Sequence, residues 1–290
     1  MDHSHYYVPE PSRWPLVGSV GLFTLVLGIA CLLNELTVVG RLATGAGLLI
    51  FAFMLFGWFG TVIAESQGGK YNAQVDVSFR WGMVWFIASE VMFFAAFFGA
   101  LFYARYFAVP WLGGLGAKAI THEILWPSFV ASWPLLELPD ASRFTVAREA
   151  MGAFGIPALN TAILLSSGAT VTWAHWGLKL GRRRQTIVGL ACTVALGLLF
   201  MALQAHEYWA AYTLSNLRLS SGIYGSTFYM LTGFHGAHVT IGAIMLAVIL
   251  VRVVRGHFTP ERHFAFEAVS WYWHFVDVVW LGLFVFVYVL

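Results

Sequence analysis

The residues best suited to chemistry in this chain stand where water is scarce. His274 and Asp277 lie at i and i+3 inside Phe266–Leu290, a run apolar enough to cross a bilayer that also carries Glu267. An ionisable side chain in hydrocarbon costs roughly 2.5–3.5 kcal/mol on insertion scales, so it has a partner or a task. At that spacing an imidazole and a carboxyl share one helix face and can satisfy each other. His235 and His238 repeat the spacing in FHGAHV, and two histidines one turn apart can ligate one metal ion. Glu90, in FIASEVMFFAAFF, has nothing within a helical turn that could neutralise it. A lone carboxyl there is protonated or solvated, because leaving water disfavours the charged form. It reads as a proton-exchange or ligand-binding site, or as a neutral acid bonded to a neighbouring helix. The plainer reading holds for the other groups too: polar side chains that only tie helix to helix, with Gly233, Gly236 and Gly242 permitting close approach. No HExxH or di-iron pattern of carboxylates and histidines is present. Heme ligation would need a facing histidine, for which His175, His206 and His274 qualify by type alone. Hydrogen bonding between helices is the plainer reading of the histidine pair, and a metal or heme site stays open beside it.

The elements that must position these groups are membrane helices. Of 290 residues, 59% are hydrophobic and 10% charged, against about 25% charged in a soluble domain. A net charge of +2 offers nothing to nucleic acid. With about 20 apolar residues as the minimum for a span, the sequence predicts an all-α polytopic protein with seven transmembrane helices. They run approximately Leu16–Leu33, Leu42–Ala64, Trp81–Phe107, Ile156–Leu178, Ile187–His206, Ile223–Val251 and Phe266–Leu290. Between the third and fourth, Val109–Gly155 is rich in proline and reads as a long extramembrane loop with a short amphipathic helix near Thr145–Phe154. Cys31 and Cys192 lie far apart in apolar runs and read as packing residues. The N-terminal MDHSHYYVPEPSRW is polar, with no secretory-signal pattern.

Basic residues set the orientation. Arg13, Lys70, Arg80, Lys179, Arg182, Arg183, Arg184, Arg252, Arg255 and Arg262 fall on one side, while the short loops opposite carry only Arg41 and Arg218. The positive-inside rule puts the N-terminus in the cytoplasm, and seven spans put the C-terminus outside. The segment RVVRGHFTPERHF brings Arg252, Arg255, His257, Arg262 and His263 to the cytoplasmic boundary. Such clusters hold anionic lipid headgroups at about 1 kcal/mol per basic residue, or serve only as topology charge. Trp14, Trp58, Trp81, Trp271 and Trp273 read as interfacial belt residues. His3 and His5, at the cytoplasmic surface, titrate near neutral pH and could buffer protons locally, or be inert.

Several segments carry a resemblance: WPLVGSVG (residues 14–21), SEVMFF around Glu90, LNTAILLSSGATVTWAHW (159–176), LQAHEY (203–208), FYMLTGFHGAHVTIG (228–242) and FEAVSWYWHFVDVVWL (266–281). In order and content the chain resembles the subunit III family of cytochrome c oxidases of the bacterial aa3 type. The resemblance implies one membrane domain over 1–290: a cytoplasmic tail (1–15), a two-helix unit (16–64) and a five-helix bundle (81–290) with an outer loop at about 109–155. It implies a V-shaped cleft, filled by phospholipid, that splays spans one and two from spans three to seven. It implies a non-catalytic, proton-pumping-oxidase subunit of the respiratory chain in a bacterial inner membrane. Heme a, heme a3 and copper would belong to partner subunits I and II. Arg252, His257 and His263 match family positions near lipid headgroups, with Arg255 and Trp58 beside them as further lipid contacts, and Glu90 matches the family's intramembrane carboxylate. The family supports proton uptake and turnover stability of subunit I. Two other classes stand beside this reading: a proton or solute transporter built on Glu90 and Asp277, though no inverted repeat is visible, and a heme or di-iron membrane enzyme.

Overall fold

A computed structural model describes residue 8 and residues 10–290. Every regular element among them is helical, as expected where lipid leaves backbone groups only intrahelical partners. In chain order these are α1 (Trp14–Leu33), α2 (Thr37–Gln67), α3 (Ala73–Tyr103), α4 (Val109–Leu112), α5 (Ala119–Leu125), α6 (Ile156–Lys179), α7 (Arg183–Thr213), α8 (Gly222–Val254) and α9 (Phe264–Leu283). Wider π-type turns at Ala104–Ala108 and Phe284–Val289 extend α3 and α9. Among the described residues six stretches are long and apolar enough to cross a membrane: α1, α2, Ala73–Leu112, α7, α8 and Phe264–Val289. The seventh expected span forms α6, 24 residues long, but it carries Asn160, Ser166, Ser167, three threonines and His175 and falls outside those six.

The chain divides into two compact units, one ending at Phe79 and one comprising Arg80–Leu290. The first is a helical hairpin. Asn34–Leu36 makes the turn, with Glu35 in the left-handed region at φ 64°. Gly21 and Gly28 on α1, and Gly40 and Gly47 on α2, each recur after seven residues and face the partner helix. A Cβ on Gly28 would run into the backbone of Thr44, and one on Gly47 into Leu25. With apolar solvent outside, such close backbone approach is the main source of helix association. Gly28→Val is therefore expected to separate the hairpin, whereas Gly45→Ala, whose Cβ meets no atom within 4 Å, should leave it closed. Energy transfer between dyes near residues 13 and 65, at the open end, distinguishes the two outcomes.

In the second unit α6 packs on α7 and α9, and α8 packs on α7 and α9. The inward face of α9 repeats every seven residues: Trp273 and Trp280, then Val276 and Leu283, all essentially buried. This is the a/d periodicity of left-handed helix packing. Gly197 and Gly242 leave the space that the Trp273 ring fills. The indole N–H of Trp273 donates to Ser167 Oγ (2.8 Å) and that of Trp280 to Thr161 Oγ1 (2.9 Å). The polar residues of α6 thus satisfy ring donors inside the bundle. α3 joins through rings, Phe93 with Phe234 at 5.0 Å and Phe98 with Phe286 at 5.9 Å.

The long connection departs from expectation. Thr145–Phe154 is not helical; the helical pieces of the connection are α4, α5 and short 3-10 turns at Gly116–Lys118 and Ala141–Arg143. Its backbone bonds instead to the α7–α8 turn: Thr145 N–H to Ser220 O (3.1 Å) and Arg148 N–H to Ser215 O (2.8 Å). Asn216 Nδ2 donates to Val146 O (2.9 Å), and the Tyr224 hydroxyl accepts from Met151 N–H (3.0 Å). A distant segment supplies the partners that a helix would have supplied locally, so the extended form wins.

Candidate functional site

Four of the five expected intramembrane polar residues turn to partners on other helices. Glu90 on α3 meets His238 on α8, Oε2 to Nε2, at 2.8 Å. The other ring nitrogen, Nδ1, lies 2.7 Å from Phe234 O. A carbonyl only accepts, so Nδ1 carries a proton. One further proton then lies between Nε2 and the carboxyl, and whichever atom holds it the pair is neutral overall. Phe93 and Phe94 pack against the imidazole, one tilted and one edge-on. His235, one turn earlier, points elsewhere: Nε2 lies 3.2 Å from Val276 O, and the ring packs between Phe200 and Trp280. The two histidines therefore diverge.

His274 and Asp277 approach on α9, Nδ1 to Oδ2, at 3.4 Å. His274 Nε2 lies 3.1 Å from Thr172 Oγ1, whose hydroxyl donates to Gly168 O (2.9 Å). The hydroxyl proton is thus committed, so Nε2–H donates to Thr172, and Nδ1 is left beside the carboxyl at ion-pair distance. The pair lines a cleft of about 530 Å³ with Trp173, Trp176 and Leu281. Glu267 is joined to α3 by Arg80, Nη2 to Oε2 at 2.7 Å.

A second group gathers where α6 and α8 end and α9 begins. Gly256, at φ 75°, turns the chain out of α8. The Arg252 guanidinium lies over the Phe258 ring at 4.4 Å. Phe258 touches Phe266, Phe266 stacks on His175, and His175 meets His263 at 5.3 Å. Along this chain of contacts four nitrogens are buried with no protein partner: Arg252 Nε, His257 Nδ1, His263 Nδ1 and His175 Nε2. Burial, and then the Arg252 and Arg255 charges, hold His257 below the ordinary imidazole range. A buried guanidinium N–H without an acceptor is costly, and none of the three imidazole nitrogens has a protein partner either. Arg255 and Arg262, in the same segment, are exposed. Arg183 donates to Val254 O (2.7 Å), stabilising the negative end of α8.

By type His175 qualifies only as a heme ligand, and neither it nor Arg183 has a local signal in the sequence, since their partners lie far along the chain. Trp273 corrects the interfacial assignment: it is completely buried, because the glycines opposite it make a socket. Trp58 and Trp81 are exposed, and Trp14 donates to Thr61 Oγ1 (3.1 Å). Trp271 is half-buried. His3 and His5 lie outside the described residues. Among the described residues no three His, Cys, Asp or Glu side chains converge as a metal site.

Comparison with known proteins agrees along nearly the whole chain. The family model for cytochrome c oxidase subunit III matches residues 3–290. Cytochrome c oxidase subunit 3 of Formosania lacustris is 41% identical over 284 residues, covering 98% of this chain and 96% of that protein. The Danio rerio protein of the same name is 41% identical over 286 residues, and that of Scyliorhinus canicula 39% over 284, each with the same coverage. The helical membrane architecture and this continuous similarity together place the chain in the cytochrome c oxidase subunit III family, as a subunit of a respiratory oxidase complex.

Proposed function

We propose that this chain is a non-redox subunit that binds phospholipid and supports the catalytic subunits of a terminal oxidase transferring electrons from cytochrome c to oxygen. Subunits I and II would carry heme a, heme a3 and copper. A non-redox role is supported by His238 and His274, whose ring nitrogens are all engaged. The Glu90–His238 pair is the group we assign to supporting proton uptake and durable turnover of subunit I. We read α6 as the seventh span: at about 1.5 Å per residue its 24 residues reach about 36 Å, enough for a bilayer core of about 30 Å. Its Asn160 and Ser167 are fully buried, so its polarity faces the bundle. Basic residues on one side support a cytoplasmic N-terminus and an outer C-terminus, and the segment resemblance supports a bacterial inner membrane, although the relatives named above are eukaryotic. Reporter fusions at both termini test the topology.

The observation that carries the lipid reading is the set of four buried, unpartnered nitrogens around Arg252, His257, His263 and His175. Arg252→Ala with His263→Ala should weaken headgroup retention by about 2 kcal/mol, roughly thirtyfold in affinity. Arg255→Ala, at the exposed rim, should do less. Phosphate per heme in the purified complex is the measurement. Unchanged phosphate in the double variant would reduce these residues to topology charge.

A further inference from the structure

At the end of the bundle opposite Arg182–Arg184 lies a polar cluster that neither the proton pairs nor the headgroup pocket uses. Glu207 on α7 is 2% exposed, and both carboxyl oxygens are buried without a protein donor. Asn160 on α6 is fully buried, and its Oδ1 also lacks a donor. The remaining contacts are weak: Asn160 Nδ2 to Gln204 Oε1 at 3.3 Å and Gln204 Nε2 to Tyr288 Oη at 3.5 Å. Gln204 and Tyr288 are the nearest donors to the carboxyl, but neither makes a well-formed hydrogen bond to it.

All three unsatisfied atoms are oxygens, so the occupant must supply donors or positive charge. The titratable groups interacting with Glu207 are tyrosines: Tyr208 on its own helix, Tyr224 and Tyr229 on α8, and Tyr288 beyond α9. None brings a positive charge. The Tyr208 hydroxyl is already closed on Thr232 Oγ1 at 2.5 Å. A proton on the carboxyl removes the charge and turns one of its oxygens into a donor. A water can then accept that proton's hydrogen bond and donate to the carboxyl carbonyl and to Asn160 Oδ1. One proton and one water satisfy all three atoms, which is the usual role of buried water at polar sites.

We propose that Asn160, Gln204, Glu207 and Tyr288 form an internal water site in which Glu207 is held as the protonated acid. Infrared spectra of the intact oxidase in H2O and D2O test this. The native complex should show a hydrogen-bonded carboxylic acid carbonyl band that shifts on deuteration. Glu207→Gln should remove it, and Asn160→Leu should move it to higher frequency as the water loses an acceptor. Persistence of the band in Glu207→Gln overturns the assignment. A band insensitive to Asn160→Leu means a dry acid, and a carboxylate band that changes when sodium is replaced by choline means a bound cation; either result also overturns it. If a variant fails to assemble, a high-resolution map of the native complex decides: the site stands if density for water lies within hydrogen-bonding distance of both Asn160 Oδ1 and Glu207, and falls if it does not.

Discussion

Trp273→Ala should be the most damaging single substitution in the bundle, lowering the temperature at which the chain leaves the purified complex. The ring is fully buried in the space left by Gly197 and Gly242, with its N–H on Ser167. In soluble cores, Trp-to-Ala changes cost about 3–5 kcal/mol. Lipid offers less transfer free energy, but an internal void still forfeits its packing contacts. Trp273→Phe should cost much less, since Ser167 Oγ keeps its own bond to Leu164 O (2.6 Å). Trp85→Ala is the control, because Trp85 is 70% exposed. Equal dissociation temperatures for Trp273→Ala and Trp85→Ala would refute the socket argument.

The second large effect is expected at Glu90. Glu90→Gln retains a donor for His238 Nε2, so it should assemble with all hemes and pump protons at the native stoichiometry. Its effect should lie in the rate or persistence of turnover. Glu90→Leu strands Nε2 in an apolar, ring-lined pocket, a loss of about 1–3 kcal/mol. His238→Phe in the same chain should restore part of it, because removing both partners is less harmful than removing one. Proton stoichiometry in reconstituted vesicles and thermal dissociation measure the two parts. Loss of pumping with electron transfer intact in Glu90→Gln would support the transporter reading instead.

Much of the helical architecture was legible because bilayer thickness imposes a length on apolar runs. What escaped the sequence depends on contacts between distant residues. Glu90 looks alone because His238 is 148 positions away. The amphipathic pattern at Thr145–Phe154 suggested a helix, yet its donors find Ser215 and Ser220. Trp273 resembles a belt residue by type, since composition near a span end does not say which face is inward. Glu207, inside LQAHEY, gives no signal for the same reason: only the tertiary structure reveals that its oxygens are enclosed. α6 was read as a span despite its serines and threonines, and the bonds from Trp273 and Trp280 explain where that polarity is used.

The loop that lies on the α7–α8 turn also orders events during synthesis. Arg148 leaves the ribosome well before Ser215 and Ser220, whose carbonyls serve this stretch of the loop. At about 5–20 residues per second, the nascent loop waits roughly 3–15 s for its acceptors. Until then its backbone is hydrated and open to proteases. A stalled chain ending before Ser215 should therefore be cut within the loop, and one long enough for the α7–α8 turn to have left the ribosome should resist.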